Sequence, residues 1–210
     1  MSEQWDSQVM LEPLLADRPC GEDLEDSVLL SSVESLRLFG SQVQHDPAPE
    51  WIDIQNKTIE GLAKSKDIRL LAHLGAALLR TEGLPGFLEA VTVVSGWLDR
   101  YWGDVYPLVD EDAILRINAL NCFADPWVVV DEIRRTPLVR SRQHGKVSLR
   151  DCEVAAGKIP ADEEDSGAGQ SQIDAAFADT LLDELQCLQR RVTEGLAAVD
   201  QIDATVRAKA

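Results

Sequence analysis

The segment Asp67-Ile-Arg-Leu-Leu-Ala-His-Leu-Gly-Ala-Ala-Leu-Leu-Arg80 decides the fold of this chain. Drawn as an α-helix, it is apolar over most of its circumference, which is typical of a helix buried among its neighbours. Glu82-Gly83 ends this helix, and Leu84-Pro85 starts another, since proline is tolerated in the first helical turn. The segment therefore predicts a tight helical hairpin at the centre of an all-α fold.

Helical periodicity extends on both sides of this hairpin. Apolar residues recur every three or four positions from Leu24 to Phe39, from Trp51 to Lys64 and from Pro85 to about Trp102. A polar loop at residues 42–49 separates the first two of these helices. The helix that starts at Trp51 is expected to turn four residues toward the core: Ile52, Ile59, Leu62 and Ala63.

Two shorter helices are predicted between residues 113 and 136. The first carries four apolar residues at helical spacing, which we expect to face inward: Ile114, Ile117, Leu120 and Phe123. Asp125-Pro126 combines an N-cap with a proline at the first helical position and opens the second helix. Thr136-Pro137 stops that helix at about Arg135.

The last third of the chain no longer follows the pattern of short amphipathic helices. Residues 138–150 carry the signals of a small β-hairpin around a glycine. Residues 158–171, the acidic linker, are rich in Gly, Ser and acids, which is typical of a flexible connection. Residues 172–210 predict one long helix with a heptad pattern that only Gly195 interrupts. This helix either lies back on the same protein or forms a two-helix packing surface, between copies or with a following helix, and the pattern leaves both open.

These observations together define a fold class and a division of the chain. We expect an all-α protein, a multi-helix bundle of antiparallel helical hairpins with one small β-hairpin and a long C-terminal helix. Residues 1–157 form the helical domain, residues 158–171 the acidic linker, and residues 172–210 the long helix that begins a following region.

The composition is that of an ordinary globular protein without a membrane span. The chain has 210 residues, 45% of them hydrophobic and 27% charged, and no run of about 18 uncharged apolar residues. Its first six residues contain acids where a signal peptide needs a basic region. The four cysteines are widely spaced, which is typical of reduced thiols. We therefore expect a cytoplasmic protein with no membrane insertion.

Charge is distributed unevenly along the chain. The net charge of −17 opposes nucleic acid as a general partner. Residues 134–158, in contrast, carry seven bases against two acids. This basic segment is either a solvated face or a protein-docking surface. The candidate docking residues are Arg140, Arg142, Lys146 and Arg150. Reversal of Arg140, Arg142 and Arg150 to Glu is expected to weaken partner capture and to leave the fold intact.

A search for chemistry along the chain is negative. We predict no catalytic residue, no cofactor and no metal: the three histidines are scattered, and Asp110-Glu-Asp112 lacks the ligand spacing of a calcium loop. One alternative is a hydrolase in which Arg69, His73 and Arg80 line a pocket, because these residues share one stripe of the central helix. A buried, hydrogen-bonded His73 would contradict that hypothesis.

Several short runs, taken in order, resemble a known family. They are Pro19-Cys-Gly-Glu-Asp-Leu24, Ser65-Lys-Asp-Ile-Arg69, Glu82-Gly-Leu-Pro-Gly86, Asp104-Val-Tyr-Pro107, Arg116-Ile-Asn-Ala-Leu120 and Gly145-Lys-Val-Ser-Leu-Arg-Asp151. In this order and spacing, residues 10–157 are similar to the ImpA-type N-terminal domain of TssA proteins, components of the bacterial type VI secretion system. No single run is diagnostic, and most of them are turns and caps that shape the fold.

The resemblance implies a cytoplasmic, non-enzymatic part of a contractile injection machine. TssA proteins help to assemble the baseplate and the sheath–tube, so the implied partners are baseplate, tube or sheath proteins. Self-association is implied for the full-length protein, because rings in this family are generally built by C-terminal regions. A helical adaptor or regulatory protein unrelated to secretion is the alternative that the residues alone leave open.

Overall fold

The computed structural model describes residues 5–40, 49–109, 113–162 and 165–210. The predicted loop at 42–49 therefore lies almost entirely outside the described residues, as do Asp110-Glu-Asp112 and residues 163–164 of the acidic linker. Within the described ranges the protein is a helical bundle with one two-stranded antiparallel sheet and a long C-terminal helix. The predicted fold class is confirmed.

Helix α4, Ile68–Thr81, is the buried centre of the bundle. Ile68 and every residue from Leu70 to Leu79 are buried, as expected for a helix that is apolar on most of its circumference. Asp67 caps the first turn by accepting a hydrogen bond from the backbone N–H of Arg69 at 2.8 Å. The prediction for this segment is confirmed.

Helix α5, Leu84–Arg100, follows α4 after two residues and packs along it. Because the connection is so short, the two helices run antiparallel. Gly83 in this connection has φ of +81°, a conformation that a residue with a Cβ rarely adopts. The predicted helical hairpin is thus confirmed.

Helix α3, Trp51–Leu62, packs on the other side of α4. Its position was predicted correctly, but its inner face was predicted only in part. Ile59 and Leu62 are buried, whereas Ile52 is 58% exposed and Ile54 takes the inward position instead. Residues 54, 58 and 62 are four apart, so they share the face that contacts α4.

Helix α1, Ser7–Leu11, lies across the C-terminal half of α5. The carbonyl oxygen of Met10 accepts hydrogen bonds from Lys66 Nζ at 2.6 Å and from Trp97 Nε1 at 2.7 Å. These two buried donors hold the N-terminal segment on the bundle. The Lys66 ammonium also lies 5.2 Å from the centre of the Trp97 ring.

Helix α2, Val28–Glu34, is shorter than the predicted helix from Leu24 to Phe39. Ser27 starts it by accepting a hydrogen bond from Leu30 N–H at 3.1 Å. Arg37 has φ of +47°, which is incompatible with continuation of a right-handed helix. The chain therefore leaves the helix before Phe39.

Helix α6, Ile114–Asn121, faces the core differently from its prediction. Ile114 and Ile117 are 56% and 37% exposed, whereas Arg116 and Ala119 are buried. The Arg116 guanidinium donates to the carbonyl oxygens of three residues in the preceding connection, namely Trp102, Val105 and Pro107, at 2.5–3.1 Å. Because these carbonyl oxygens are satisfied by the guanidinium, α6 is oriented with Arg116 toward the interior and its isoleucines toward the surface.

A 3-10 turn, Cys122–Ala124, and a π-helical turn, Pro126–Val130, join α6 to helix α7, Asp131–Arg135. The predicted N-cap is confirmed, because the Asp125 carboxylate accepts from the backbone N–H groups of the two residues after Pro126 at 2.8–3.0 Å. The chain stops being helical at Thr136, as predicted.

Strands β1, Pro137–Ser141, and β2, Gly145–Ser148, form the predicted hairpin. The second strand ends at Ser148, because Ser148 begins helix α8, Leu149–Ala155, with a reciprocal capping box. Arg150, which the hairpin prediction included, lies in this helix. The hairpin was therefore predicted two residues too long at its C-terminal side.

The predicted single helix of residues 172–210 is two helices in the structure. They are α9, Gln170–Ala178, and α10, Leu182–Lys209. The chain turns between them because α9 buries Ile173 and Ala176 against the β-hairpin, whereas α10 packs along α5. Of the two alternatives for this segment, the described residues favour packing on the same protein. The division into domain, linker and following region stays a prediction.

Gly195 explains how closely α10 approaches α5. A Cβ at this position would lie 2.5 Å from Leu88 Cδ2, well inside van der Waals contact. The interruption of the heptad pattern is therefore a point where α10 leaves no room for a side chain beside Leu88 of α5.

Candidate functional site

Three of the four candidate docking residues lie together on the β-hairpin. Arg140 and Lys146 are cross-strand partners, and Arg142 lies in the turn between the strands. All three are exposed. Among the described residues, no acid pairs with any of them. We call Arg140, Arg142 and Lys146 the basic hairpin.

The backbone that carries these cations is held firmly. Val139 and Val147 are buried and pack with Ile173 and Ala176 of α9. The Ser141 hydroxyl orders the turn: it accepts from the backbone N–H groups of residues 143 and 144 and donates to the carboxylate of Asp179 at 2.6 Å. The backbone positions from which the three basic side chains extend are therefore fixed.

Retaining this array has a cost for the folded protein. Like charges directly opposite each other on neighbouring strands destabilise a sheet, and Arg140 faces Lys146 in this way. Arg191 and Arg207 of α10, by comparison, each have an acid at 2.9 Å. The chain has an excess of acids, yet none of the described ones pairs with the basic hairpin. Its geometry suits binding to carboxylates of another protein, which arginine recognises with two parallel hydrogen bonds.

Arg150, the fourth candidate, belongs to a different environment. Its guanidinium donates to Asp165 at 2.5 Å and to Asp162 at 2.8 Å, and its side chain is 13% exposed. The hydrogen bond and charge of Asp165 raise the pKa of Arg150. Arg150 therefore fastens the acidic linker to α8, and its reversal to Glu would disturb this contact. Lys146 is the better third residue for a charge-reversal test.

The stripe of Arg69, His73 and Arg80 has no catalytic geometry. His73 is buried, its Nδ1 donates to the carbonyl of Arg69 at 2.8 Å, and burial lowers the pKa of the ring. Burial opposes the charge of Arg69, but hydrogen bonds to Asp67 and Glu25 outweigh it and raise the pKa of the guanidinium. These contacts serve the fold, and they contradict the hydrolase hypothesis.

Arg80 is also engaged within the bundle. Its guanidinium donates to the carbonyls of Ala76 at 3.0 Å and Val128 at 2.9 Å and lies 4.0 Å from the centre of the Trp51 ring. It therefore ties α3 and α4 to the π-helical turn. The three residues of the stripe lie on one helix face, as predicted, but each is occupied by a structural contact.

The thiols do not resemble a nucleophile or a metal site. All four cysteines are free, and burial raises the pKa of Cys20 and of Cys122 to about 11, which keeps both as thiols near neutral pH. In the ranges that the structure describes, no three His, Cys, Asp or Glu side chains are grouped as metal ligands would be. None of the described helices is long and apolar enough to cross a bilayer.

The structure also contains a surface that the sequence reasoning missed. A cavity of about 830 Å³ opens between α5, α10 and the part of the chain from α6 to α9. We call it the apolar trough, because its described lining contains no charged residue. Leu196 and Val199 are 63% and 51% exposed along it. The signal in the sequence was the set of apolar residues on α10 beyond those that α5 covers.

Comparisons with known proteins find a matching family and a similar sequence. A family model described as ImpA, N-terminal, type VI secretion system, matches residues 11–125. The type VI secretion system component TssA1 of Pseudomonas aeruginosa is 34% identical over 196 residues, which are 88% of this chain and 56% of that protein. The chain thus spans about half the length of this curated relative.

A solved structure shares the fold. It is the N-terminal domain, including the conserved ImpA_N region, of the TssA component of the type VI secretion system from Burkholderia cenocepacia. It superposes with a TM-score of 0.74 at 23% identity and covers 100% of this chain and 86% of its own. At this identity the likeness shows the fold alone.

Proposed function

Because the chain belongs to the ImpA, N-terminal, type VI secretion system family, we propose that it is a non-enzymatic assembly component of a type VI secretion system. It works by holding other proteins in place. Family membership sets aside the alternative of a helical adaptor unrelated to secretion.

Family membership supports the secretion role, and the observation that supports a protein-docking mechanism is the basic hairpin. Three cations stand on a rigid two-stranded support, without a described acid partner, on a chain with a net charge of −17. Positive charge of this kind steers and orients an acidic protein surface. Nucleic acid is the less suitable partner, because the rest of the chain would repel its phosphates.

The finer assignment concerns partners and place in the machine. We propose that the partners are baseplate, tube or sheath proteins and that the chain acts in the cytoplasm. In the full-length protein, self-association would bring several copies of the basic hairpin together, and multivalent contact strengthens binding without any new interaction. No cofactor and no metal takes part in this function.

The proposal is tested by affinity capture from cells in which the secretion system is active. The tagged wild-type protein is expected to enrich other type VI secretion proteins, identified by mass spectrometry. Reversal of Arg140, Arg142 and Lys146 to Glu should abolish this enrichment. A matched control reverses three exposed bases elsewhere, Arg18, Lys57 and Arg190, and should retain it.

The two failures are distinguishable. If the wild-type protein enriches no type VI secretion component, the assembly role is wrong. If enrichment persists after reversal of the basic hairpin, the role stands and the assigned surface is wrong.

A further inference from the structure

Two arginines near the basic hairpin are covered by the acidic linker of the same chain. Arg150 Nε and Nη2 donate to the two carboxylate oxygens of Asp165 at 2.5 Å and 3.0 Å, which is a bidentate pair. Asp162 lies between the two arginines and accepts from Arg150 at 2.8 Å and from Arg135 at 3.0 Å. We call Arg135 and Arg150 the covered pair.

The acids on the covered pair differ in origin from those on a neighbouring arginine. Arg134 donates to Glu153 at 2.6 Å, and Glu153 belongs to helix α8. The linker acids come instead from the connection between α8 and α9. Arg135 has a second partner, Asp131 of its own helix, at 2.9 Å. Arg150 is therefore the member of the covered pair that the linker mainly neutralises.

The acidic linker is attached to the domain by polar contacts. Among the described residues from 156 to 167, no apolar side chain is buried. The side chain of Asp162 is 41% exposed although it pairs with both arginines, and ion pairs at such a surface contribute little to stability. Release of these residues therefore exposes little apolar surface, and carboxylates of another protein can replace the contacts one for one.

The covered pair lies within reach of a segment that binds the basic hairpin. Lys146 precedes Arg150 by four residues, so their Cα atoms are at most about 14 Å apart. Arg135 precedes Arg140 by five residues, which limits that distance to about 18 Å. An extended peptide of six residues spans about 20 Å. One acidic segment can therefore contact the basic hairpin and the covered pair together.

A further contact connects the acidic linker with the end of the hairpin. The Ser166 hydroxyl donates to the Asp151 carboxylate, which also accepts from the backbone N–H of Ser148 at 2.8 Å. Ser148 is the last residue of β2. The linker and the hairpin therefore share one hydrogen-bond network.

We propose that the covered pair is a second part of the docking surface, and that an acidic segment of a partner protein displaces the acidic linker from it. The inference rests on the proposed function for the sign of the partner's charge. An internal occupant lowers the affinity for an outside one in proportion to the fraction of molecules that it occupies. Contact with the exposed basic hairpin comes first, and release of the linker then enlarges the interface.

Removal of the linker charges should strengthen binding of an acidic probe. The probe is a fluorescent peptide of eight residues in which glutamate and serine alternate, titrated against the intact protein by fluorescence anisotropy. Asp162→Asn with Asp165→Asn should raise the affinity by about fivefold or more. The matched control, Asp17→Asn with Asp26→Asn, removes the same charge from two exposed positions of the N-terminal segment. It should raise the affinity by less than about twofold.

A second variant locates the origin of this gain. Arg135→Gln with Arg150→Gln, added to the linker variant, should return the affinity to within about twofold of the wild-type value, because the carboxylates of the probe then lose the uncovered arginines. Circular dichroism checks that each variant is folded.

Hydrogen exchange reports displacement of the linker in the wild-type protein. The backbone N–H of Asp162 donates to Asp165 at 2.7 Å, and that of Ala168 donates to Ser166 Oγ at 3.2 Å. Both amides should exchange faster when the probe is saturating, because its carboxylates replace those of the linker. Reversal of the basic hairpin to Glu should remove this acceleration.

Three results would overturn the inference. In the first, the linker variant binds the probe no better than the wild type does, or neither protein binds it. In the second, the matched control gains as much affinity as the linker variant. In the third, saturating probe leaves the exchange of the two amides unchanged. Enrichment of secretion proteins from cells is a separate measurement, so failure of this inference and failure of the proposed function are distinguishable.

Discussion

Arg116 offers the sharpest test of how the fold is held. Its guanidinium makes four hydrogen bonds to the carbonyl oxygens of Trp102, Val105 and Pro107, and its side chain is 1% exposed. Arg116→Met keeps much of the apolar stem but leaves three carbonyl oxygens without this donor. Loss of these hydrogen bonds should also weaken the attachment of α6, which forms part of the wall of the apolar trough.

The magnitude follows from the contacts that are lost. Each buried oxygen left without a donor costs about 1–3 kcal/mol, and removal of a buried charge offsets part of that cost. We therefore expect the free energy of unfolding to fall by about 3 kcal/mol. At a urea slope of about 2 kcal/mol per M, the midpoint should fall by about 1.5 M.

The measurement is urea unfolding followed by circular dichroism at neutral pH. Arg140→Met is the matched control, because it makes the same substitution at an exposed position, and it should change the free energy by less than about 0.5 kcal/mol. A loss below about 1 kcal/mol for Arg116→Met, or an equal loss in both variants, would refute the reasoning.

Three further predictions concern α10, a buried amine and the acidic linker. Gly195→Leu should destabilise the protein by about 1–3 kcal/mol in urea unfolding, because its side chain overlaps α5, whereas Ala197→Leu on the exposed side should be nearly neutral; equal effects would contradict the close approach. Burial lowers the pKa of Lys66 from 10.5 to about 8, so between pH 8 and 10.5 the unfolded chain binds more protons than the folded protein. The free energy of unfolding of the wild type should therefore rise over this range by about 1–3 kcal/mol relative to that of Lys66→Met. Parallel pH profiles of the two proteins would exclude this. Arg150→Met should speed proteolysis of the acidic linker by about tenfold through local opening, Arg142→Met should not, and equal cleavage rates would refute the clamp.

Much of the fold was predictable, because it depends on patterns that are local in the sequence. The α4–α5 hairpin follows from apolar periodicity and from Gly83, and the start of the π-helical turn follows from the capping chemistry of Asp125. Each of these signals acts within a few residues. Tertiary contacts reinforce them and do not override them.

The errors arose where a distant contact decided the local structure. The face of α6 was predicted from its isoleucines, but three carbonyl oxygens in the preceding connection require Arg116 inside. Residues 179–181 interrupt the predicted long helix, because α9 and α10 pack on different neighbours. Apolar periodicity does not record which neighbour a helix contacts.

The candidate site was predictable in part for the same reason. Charge counting located the basic segment, and the structure places Arg140, Arg142 and Lys146 on one hairpin. Charge counting could not separate these three residues from Arg150, since the pairing of Arg150 with Asp165 is a tertiary contact. The apolar trough was missed because six helices and strand β1 contribute residues to its lining, and no single segment displays it.

The central claim is that this chain serves a type VI secretion system by contact through the basic hairpin. Type VI-dependent protein release into the culture medium tests it most directly, in strains that carry the wild-type gene, a deletion, or the reversal of Arg140, Arg142 and Lys146 to Glu. We predict that the reversal strain accumulates the protein at the wild-type level and yet releases as little as the deletion strain. Release at the wild-type level from the reversal strain would contradict the account.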